Sequence, residues 1–243
     1  VVVTMLNKTL TQMQVGGLWD HVGGGFHRYS VDRFWHIPHF EKMLYDNGQL
    51  ATVYAEAHAL TGRDDYRRVV TSLLDFVLRE MTQEEGGFYA ALDAESEGVE
   101  GKYYRWSREE VQKVLPADGW SLFSSVYGLA DSPNFEDHYA LQLNRPLTET
   151  AQEHGLDESA LDDTLKEMRD RLLHERSERP RPLTDTKILT SWNGLMIRGF
   201  ADAGRILERP QYVEAAERAA QFVLSHLVEE DGRLLRTYGM GTS

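Results

Sequence analysis

The chain has 243 residues, 41% of them apolar, with a mean hydropathy of −0.48 and a formal net charge of −13. That length buries a sizeable core in one large domain or two small ones, and no apolar run reaches the roughly 18 residues that a bilayer-spanning helix needs. The acidic surplus repels phosphate backbones and anionic lipid, so nucleic acid and membrane partners are not expected, and the lack of cysteine removes disulfides, thiolate metal sites and cysteine nucleophiles.

In chain order, residues 4–15 read as a first helix stopped by Gly16-Gly17. The opening "VVVTML" is too short for a secretion signal and has no basic segment before it, so a cytoplasmic protein is expected. With no initiator Met, the chain reads as a fragment or a processed product. A Gly-rich loop follows that holds too much Trp, Phe, Tyr and His to be a flexible linker. The next helix, about 40–60, is apolar almost all round (Met43, Leu44, Leu50, Val53, Tyr54, Ala55, Ala57, Leu60), which marks a buried helix. Gly62 fits its C-terminal stop, and Asp64 or Asp65 fits an N-cap for an outer helix over about 65–81. That helix carries one stripe, Tyr66, Val69, Leu73, Val77 and Met81.

The segments "GGFYAALDAES" and "KYYRW" around "EGVEG" read as a β-hairpin. Ser107 and Glu110 form a capping box for a helix near 108–115, and a short helix falls near 119–128. A polar loop with Pro133 and Pro146 precedes an amphipathic helix over about 157–177 (Leu161, Leu165, Met168, Leu172). After the loop "ERPRPLTDTK", a broadly apolar helix at about 187–207 is followed by a striped one at about 211–228.

The last pair copies the earlier one. An offset of 146 lays residues 47–92 on 193–238 without a gap, with 11 of 46 positions identical, among them Asn47/Asn193, Tyr66/Tyr212, Phe76/Phe222 and Gly86/Gly232. Chance gives roughly three. A buried helix, a turn and an amphipathic helix form the unit of an (α/α) barrel; a two-layer solenoid shows the same pattern. The fold expected is all-α, a toroid-like barrel of helical hairpins with a small β-hairpin on its rim. It forms one domain over 1–243 and is incomplete, because about four hairpins at most fit in this length.

The motifs "GGLWDHVGGGFHRYSVDRFWHIPHFEKMLYDNGQLA", "GGFYAALDAESEGVEGKYYRW" and "KILTSWNGLMI" closely resemble the spermatogenesis-associated-protein-20-like family, and the resemblance covers nearly the whole chain. It implies an N-terminal thioredoxin-like domain joined to an (α/α)6 barrel similar to N-acylglucosamine 2-epimerases and six-hairpin glycosidases. Here the thioredoxin-like domain with its cysteines and the last hairpins are missing, so a redox role is not expected in this chain.

The starts of inner helices line the mouth of such barrels, and three polar groups gather there. The first is Asp20, His21, His27 and Arg28; the second is His39, Glu41, Tyr45 and Asp46; the third is Asp93 and Glu95 in the hairpin. Glu41 and Tyr45 lie one helical turn apart, and Asp93 and Glu95, two apart on a strand, point to one side. Trp192 and Asn193 open the second inner helix. Sugar chemistry needs such a kit: rings that stack on apolar sugar faces, carboxylates for acid and base work, and His near neutral pKa for epimerisation. The expected catalytic groups are His21, His39, Glu41, Asp46, Asp93 and Glu95. The expected substrate contacts are Trp19, Phe26, His27, Arg28, Trp35, Tyr45, Trp192 and Asn193. No cofactor and no metal is expected: His21, His27 and His39 make no i, i+4 pair, and Gly23-Gly24-Gly25 lacks the ending of a phosphate loop. The competing expectation is a non-catalytic scaffold that holds a thioredoxin-like domain or a protein partner. In that case the histidines and Asn47/Asn193 bond backbone, and the aromatics are packing.

Overall fold

The computed structural model describes residues 1–153 and 155–239. Its elements begin with α1 (Val2–Val15), β1 (Tyr29–Ser30), β2 (Pro38–His39), β3 (Lys42–Met43), α2 (Leu44–Thr61) and α3 (Asp64–Glu80). They continue with β4 (Ala91–Leu92), β5 (Glu95–Ser96), β6 (Val99–Glu100), α4 (Arg108–Val114), α5 (Ala117–Tyr127), α6 (Leu147–Glu153) and α7 (Glu158–Ser177). The last are β7 (Thr184–Asp185), β8 (Ile188–Leu189), α8 (Thr190–Ile206), α9 (Pro210–His226) and β9 (Thr237–Tyr238). The described chain is mostly helical with small strand pairs, as the sequence implies. No helix in it is long and apolar enough to cross a membrane.

Two compact units result. One comprises residues 1–23, 27–40 and 94–182; the other comprises 24–26, 41–93 and 183–243.

The second unit holds the repeat. In it α2 packs on α3 and on α8, and α8 packs on α9. The expected stripe of α3 is buried throughout: Tyr66, Leu73, Val77 and Met81 are 0% exposed. Burial contributes about 1.5–3 kcal/mol per large apolar side chain. The α2–α8 contact is close because Gly48 and Gly199 sit in it. A Cβ on Gly48 would lie 2.8 Å from the Met196 nitrogen, and one on Gly199 2.9 Å from the Gly48 oxygen. Gly62 closes α2 in the left-handed conformation (φ 69°), its N–H donating to the His58 carbonyl at 2.8 Å.

Three expectations are corrected here. α2 starts at Leu44, not near 40, because Lys42 and Met43 are drawn into a ladder with Leu92 and Ala91. α2 is not buried all round: Gln49, Val53, Glu56 and Leu60 are exposed, since α3 and α8 cover two faces and leave a third. Asp64 and Asp65 lie inside the first turn of α3, with Arg63 as N-cap, where their charge favours the positive helix end.

The first unit has its own core, a cluster that includes Trp106, Phe123, Leu161, Leu165 and Leu172. The capping box is present: Glu110 N–H donates to Ser107 Oγ (3.2 Å) and Ser107 N–H to Glu110 Oε2 (2.7 Å). The expected hairpin is β5–β6, turning on Glu97 (φ 54°) and Gly98 (φ 74°). Two successive positive φ values give the two-residue turn whose twist suits a hairpin. Asp93 and Glu95 do not share a strand, since β4 ends at Leu92 and β5 begins at Glu95. Helix α6 falls where a polar loop was expected; Pro146 directly precedes it, a residue suited to a helix entry.

Candidate functional site

The ladder at the start of α2 has two of the expected catalytic carboxylates at one of its ends. Lys42 pairs with Leu92 and Met43 with Ala91, and Leu44 N–H reaches the Ala90 carbonyl at 2.9 Å. Glu41 directly precedes Lys42, and Asp93 directly follows Leu92, so both carboxylates flank the Lys42–Leu92 end of the ladder. Asp93 is held there by its N–H, which donates to the Leu183 carbonyl (2.8 Å). Asp46 lies in the first turn of α2. Tyr45 of α2 and Trp192 of α8, both half-buried, meet edge to face with ring centroids 4.7 Å apart. One end of this unit thus carries three carboxylates and an aromatic pair.

Directly behind it lies Lys42, which the sequence reading missed. Its side chain is 0% exposed; Nζ donates to the Gly24 carbonyl (2.6 Å) and lies 4.2 Å from the Phe76 ring centre. These contacts offset the desolvation of a buried ammonium. Asn47 and Asn193 are 0% exposed and use their amides on backbone: Asn47 on Phe26 and Met43, Asn193 on Phe88 and Leu189. Phe26, also 0% exposed, stacks on Tyr54 at 5.4 Å.

The other expected residues lie in the first unit. His21 is buried against the Gly16 carbonyl (Nε2–O 3.1 Å) and meets the Tyr127 ring edge-on. Burial pushes its pKa down to about 4, against a smaller upward pull from that carbonyl, so the ring is neutral near pH 7. His27 Nδ1 lies 2.9 Å from the Phe40 carbonyl, with the Tyr104 ring 4.8 Å away. Trp19 is buried, Trp35 is half-buried with φ 65°, Arg28 is exposed over Tyr29, and Glu95 is exposed on β5. His39 Nδ1 meets Glu100 Oε1 at 2.7 Å and stacks on Tyr29. Asp20 binds Arg176 through two bonds of 2.9 Å, with side chains 5% and 0% exposed, and also accepts the Val22 and Gly23 N–H groups. Gly23 has no room for a side chain beside that guanidinium. The cavity bordered by Trp19, His21 and His27 measures ≈ 20 Å³, room for about one water.

A larger cavity of ≈ 200 Å³ in the same unit is lined by Lys102, Tyr103, Arg105, Glu110, His138 and Arg179, none of which the sequence suggested as a site residue. Arg179 lies 3.9 Å from the Trp106 ring centre and donates to the Tyr103 and Arg105 carbonyls; burial lowers its pKa. Among the described residues no three His, Asp or Glu side chains gather as metal ligands.

No protein-family model matches the chain. It is 38% identical over 259 residues to spermatogenesis-associated protein 20 of Homo sapiens, spanning 96% of this chain and 33% of that protein. The Mus musculus protein of the same name is 40% identical, over 98% of this chain and 33% of its own length. The chain belongs to the spermatogenesis-associated-protein-20-like family. An uncharacterized protein of Caenorhabditis elegans is 35% identical over 99% of this chain and 36% of its own length. The chain therefore spans about a third of the curated relatives it matches. Similar solved structures include a D-mannose isomerase (12% identity, TM-score 0.32, 97% of this chain and 55% of that one). Others are the cellobiose 2-epimerase of Spirochaeta thermophila (14%, 0.32, 95% and 70%) and a family 76 glycoside hydrolase from a bovine Bacteroides thetaiotaomicron strain (14%, 0.36, 96% and 45%).

Proposed function

We propose that the repeat-bearing unit binds a carbohydrate at the N-terminal ends of α2 and α8 and acts on it by acid–base chemistry. The observation that carries this reading is that Glu41 and Asp93 flank the same end of the β3–β4 ladder, at the start of the helix that bears Tyr45 of the Tyr45–Trp192 pair. In this reading Glu41 and Asp93 give and take protons, Asp46 bonds sugar hydroxyls, and the rings cover an apolar sugar face. Internal comparison supports it. At the offset of 146, Glu41, Tyr45, Asp46 and Asp93 correspond to Lys187, Ser191, Trp192 and Gly239, so the repeated architecture does not itself require carboxylates there.

The test is a thermal-shift screen of the chain against monosaccharides, disaccharides, amino sugars and N-acyl sugars. A shift that survives His21→Gln, His39→Ala and Glu95→Ala but is lost in Glu41→Gln and Asp93→Asn supports the assignment. A screen in which no sugar raises the melting temperature refutes it.

The second reading is a non-catalytic scaffold that serves a thioredoxin-like domain elsewhere in a longer polypeptide. It is favoured by the first unit, where His21 and His27 bond carbonyls and Asp20 is bonded to Arg176. Binding of an isolated thioredoxin-like domain by a chain that ignores every sugar supports this reading over the first.

A further inference from the structure

The cavity of ≈ 200 Å³ in the first unit shares none of the residues proposed above for sugar binding. Its lining sets Lys102, Arg105, Arg179 and His138 against two carboxylates, Glu97 and Glu110. The lining is therefore positive in a chain whose net charge is −13. Each of these four side chains has an acidic neighbour, and in each pair the acid is the member more open to water. The side chain of Arg105 is 14% exposed and that of its partner Glu136 68%; Arg179 is 18% exposed and Glu110 46%. Ion pairs with a well-solvated partner hold weakly. The basic heads in the wall can therefore exchange these acids for an anion that enters the cavity.

The wall is formed by the protein itself. Arg179 lies 3.9 Å from the Trp106 ring centre, and its Nη1 donates to the Tyr103 and Arg105 carbonyls at 3.1 and 2.8 Å. Its Nη2 reaches Glu110 Oε1 only at 3.3 Å, longer than the about 2.7–2.9 Å of a full charge-assisted bond. Glu110 is not free to close that gap, because its other oxygen accepts the Ser107 N–H at 2.7 Å. Burial, and then the nearby charge of Arg176, lower the Arg179 pKa, so a further negative charge beside it is favoured. His138 is set by a turn. Phe135 and His138 exchange N–H···O bonds of 3.0 and 2.9 Å around Glu136, which adopts φ 55°. Asp137 takes His138 Nδ1 at 2.5 Å, which leaves Nε2 for a ligand.

We infer that this cavity binds a small ligand through a phosphate group. One guanidinium fork already satisfies the two oxygens of a carboxylate. A phosphate monoester presents three oxygens and a charge of about −1.5 to −2, and two guanidiniums, an ammonium and an imidazole answer that larger demand. The volume limits the rest of the molecule. It lies below the about 300–1,000 Å³ of pockets for drug-sized ligands, so the phosphate and a short body attached to it fit.

Inorganic phosphate is the probe. The full chain is titrated with it at constant ionic strength, with chloride and acetate in parallel. Melting temperature and the His138 ring proton resonances, assigned through His138→Asn, report binding. Phosphate is expected to raise the melting temperature and move the His138 signals along one saturating curve. Acetate needs at least about tenfold more, and chloride does neither. Arg105→Gln removes a donor and weakens phosphate binding by about tenfold or more. Glu136→Gln removes the acid that competes for Arg105 and tightens binding by about threefold, a gain that a damaged fold does not produce. Phosphate that stabilises the chain without moving His138 sits elsewhere and overturns the inference. So do acetate that binds as tightly as phosphate, an affinity that neither variant changes, and the lack of any response to phosphate.

Discussion

Replacing Asn193 by Ala tests how far the amide bonding repeated at Asn47 and Asn193 holds the helical unit together. The side chain is 0% exposed and makes three bonds, to Phe88 N–H (2.8 Å), Phe88 C=O (3.0 Å) and Leu189 C=O (3.1 Å). Phe88 is itself 0% exposed, so water cannot take the place of the amide. Two orphaned backbone groups at about 1–3 kcal/mol each, less about 0.5 kcal/mol for the better helix propensity of Ala, give a loss of about 3 kcal/mol. Against a typical domain stability of about 5–15 kcal/mol that is a large fraction. Urea unfolding followed by circular dichroism measures it, the midpoint falling at unchanged slope. Asn193→Asp keeps the acceptor for Phe88 N–H but turns a carboxylate toward two carbonyl oxygens. It is expected to be worse than Ala near neutrality and to recover as the pH falls and the acid is protonated. Gln49→Ala, on the exposed face of α2, is the control and stays within about 0.5 kcal/mol. A loss below about 1 kcal/mol for Asn193→Ala refutes the reasoning.

Three further outcomes are expected. His21 binds a proton more readily unfolded (6.5) than folded (about 4), so stability falls as the pH drops through that window, by up to about 3 kcal/mol; melting curves of His21→Gln should lose that part of the pH dependence. Asp20→Ala strands the buried Arg176 guanidinium and lowers stability by about 3–5 kcal/mol, much of it regained when Arg176→Met is added; a double-mutant cycle measures both, and simple additivity would refute the pairing. Gly48→Ala, which in an ordinary helix interior gains up to about 1 kcal/mol, should instead lose about 1–3 kcal/mol, because the new Cβ meets Met196 and Leu195 backbone that cannot swing aside; a raised melting temperature would contradict the close α2–α8 packing.

The helices were legible because their signals are local. The stripe of α3, the Gly62 cap and the Ser107–Glu110 box each follow from a few neighbouring residues. The two-residue strands were not legible: a ladder as short as Lys42–Met43 with Ala91–Leu92 shows no alternation, and it alone reveals that Glu41 and Asp93 flank one end of the same ladder. Nor was the partnership of Asp20 with Arg176, 156 residues apart. A signal for it did exist. Arg176 continues the buried series Leu161, Leu165, Met168 and Leu172 of α7, and a charged residue in an apolar stripe implies a buried partner. The cavity lined by Lys102, Arg105, His138 and Arg179 is assembled from distant loops and left no pattern to read.

The internal repeat separates polar residues that the architecture requires from those it does not. Asn47 and Asn193 recur at the same position with the same bonds, so their polarity is explained by the backbone groups they satisfy. Glu41, Asp46 and Asp93 sit on the same scaffold, yet their counterparts are Lys187, Trp192 and Gly239. A scaffold that accepts a cation, an indole or no side chain at these positions does not need an acid in any of them. Their gathering at one end of one repeat is therefore the asymmetry on which the proposal of a carbohydrate site rests.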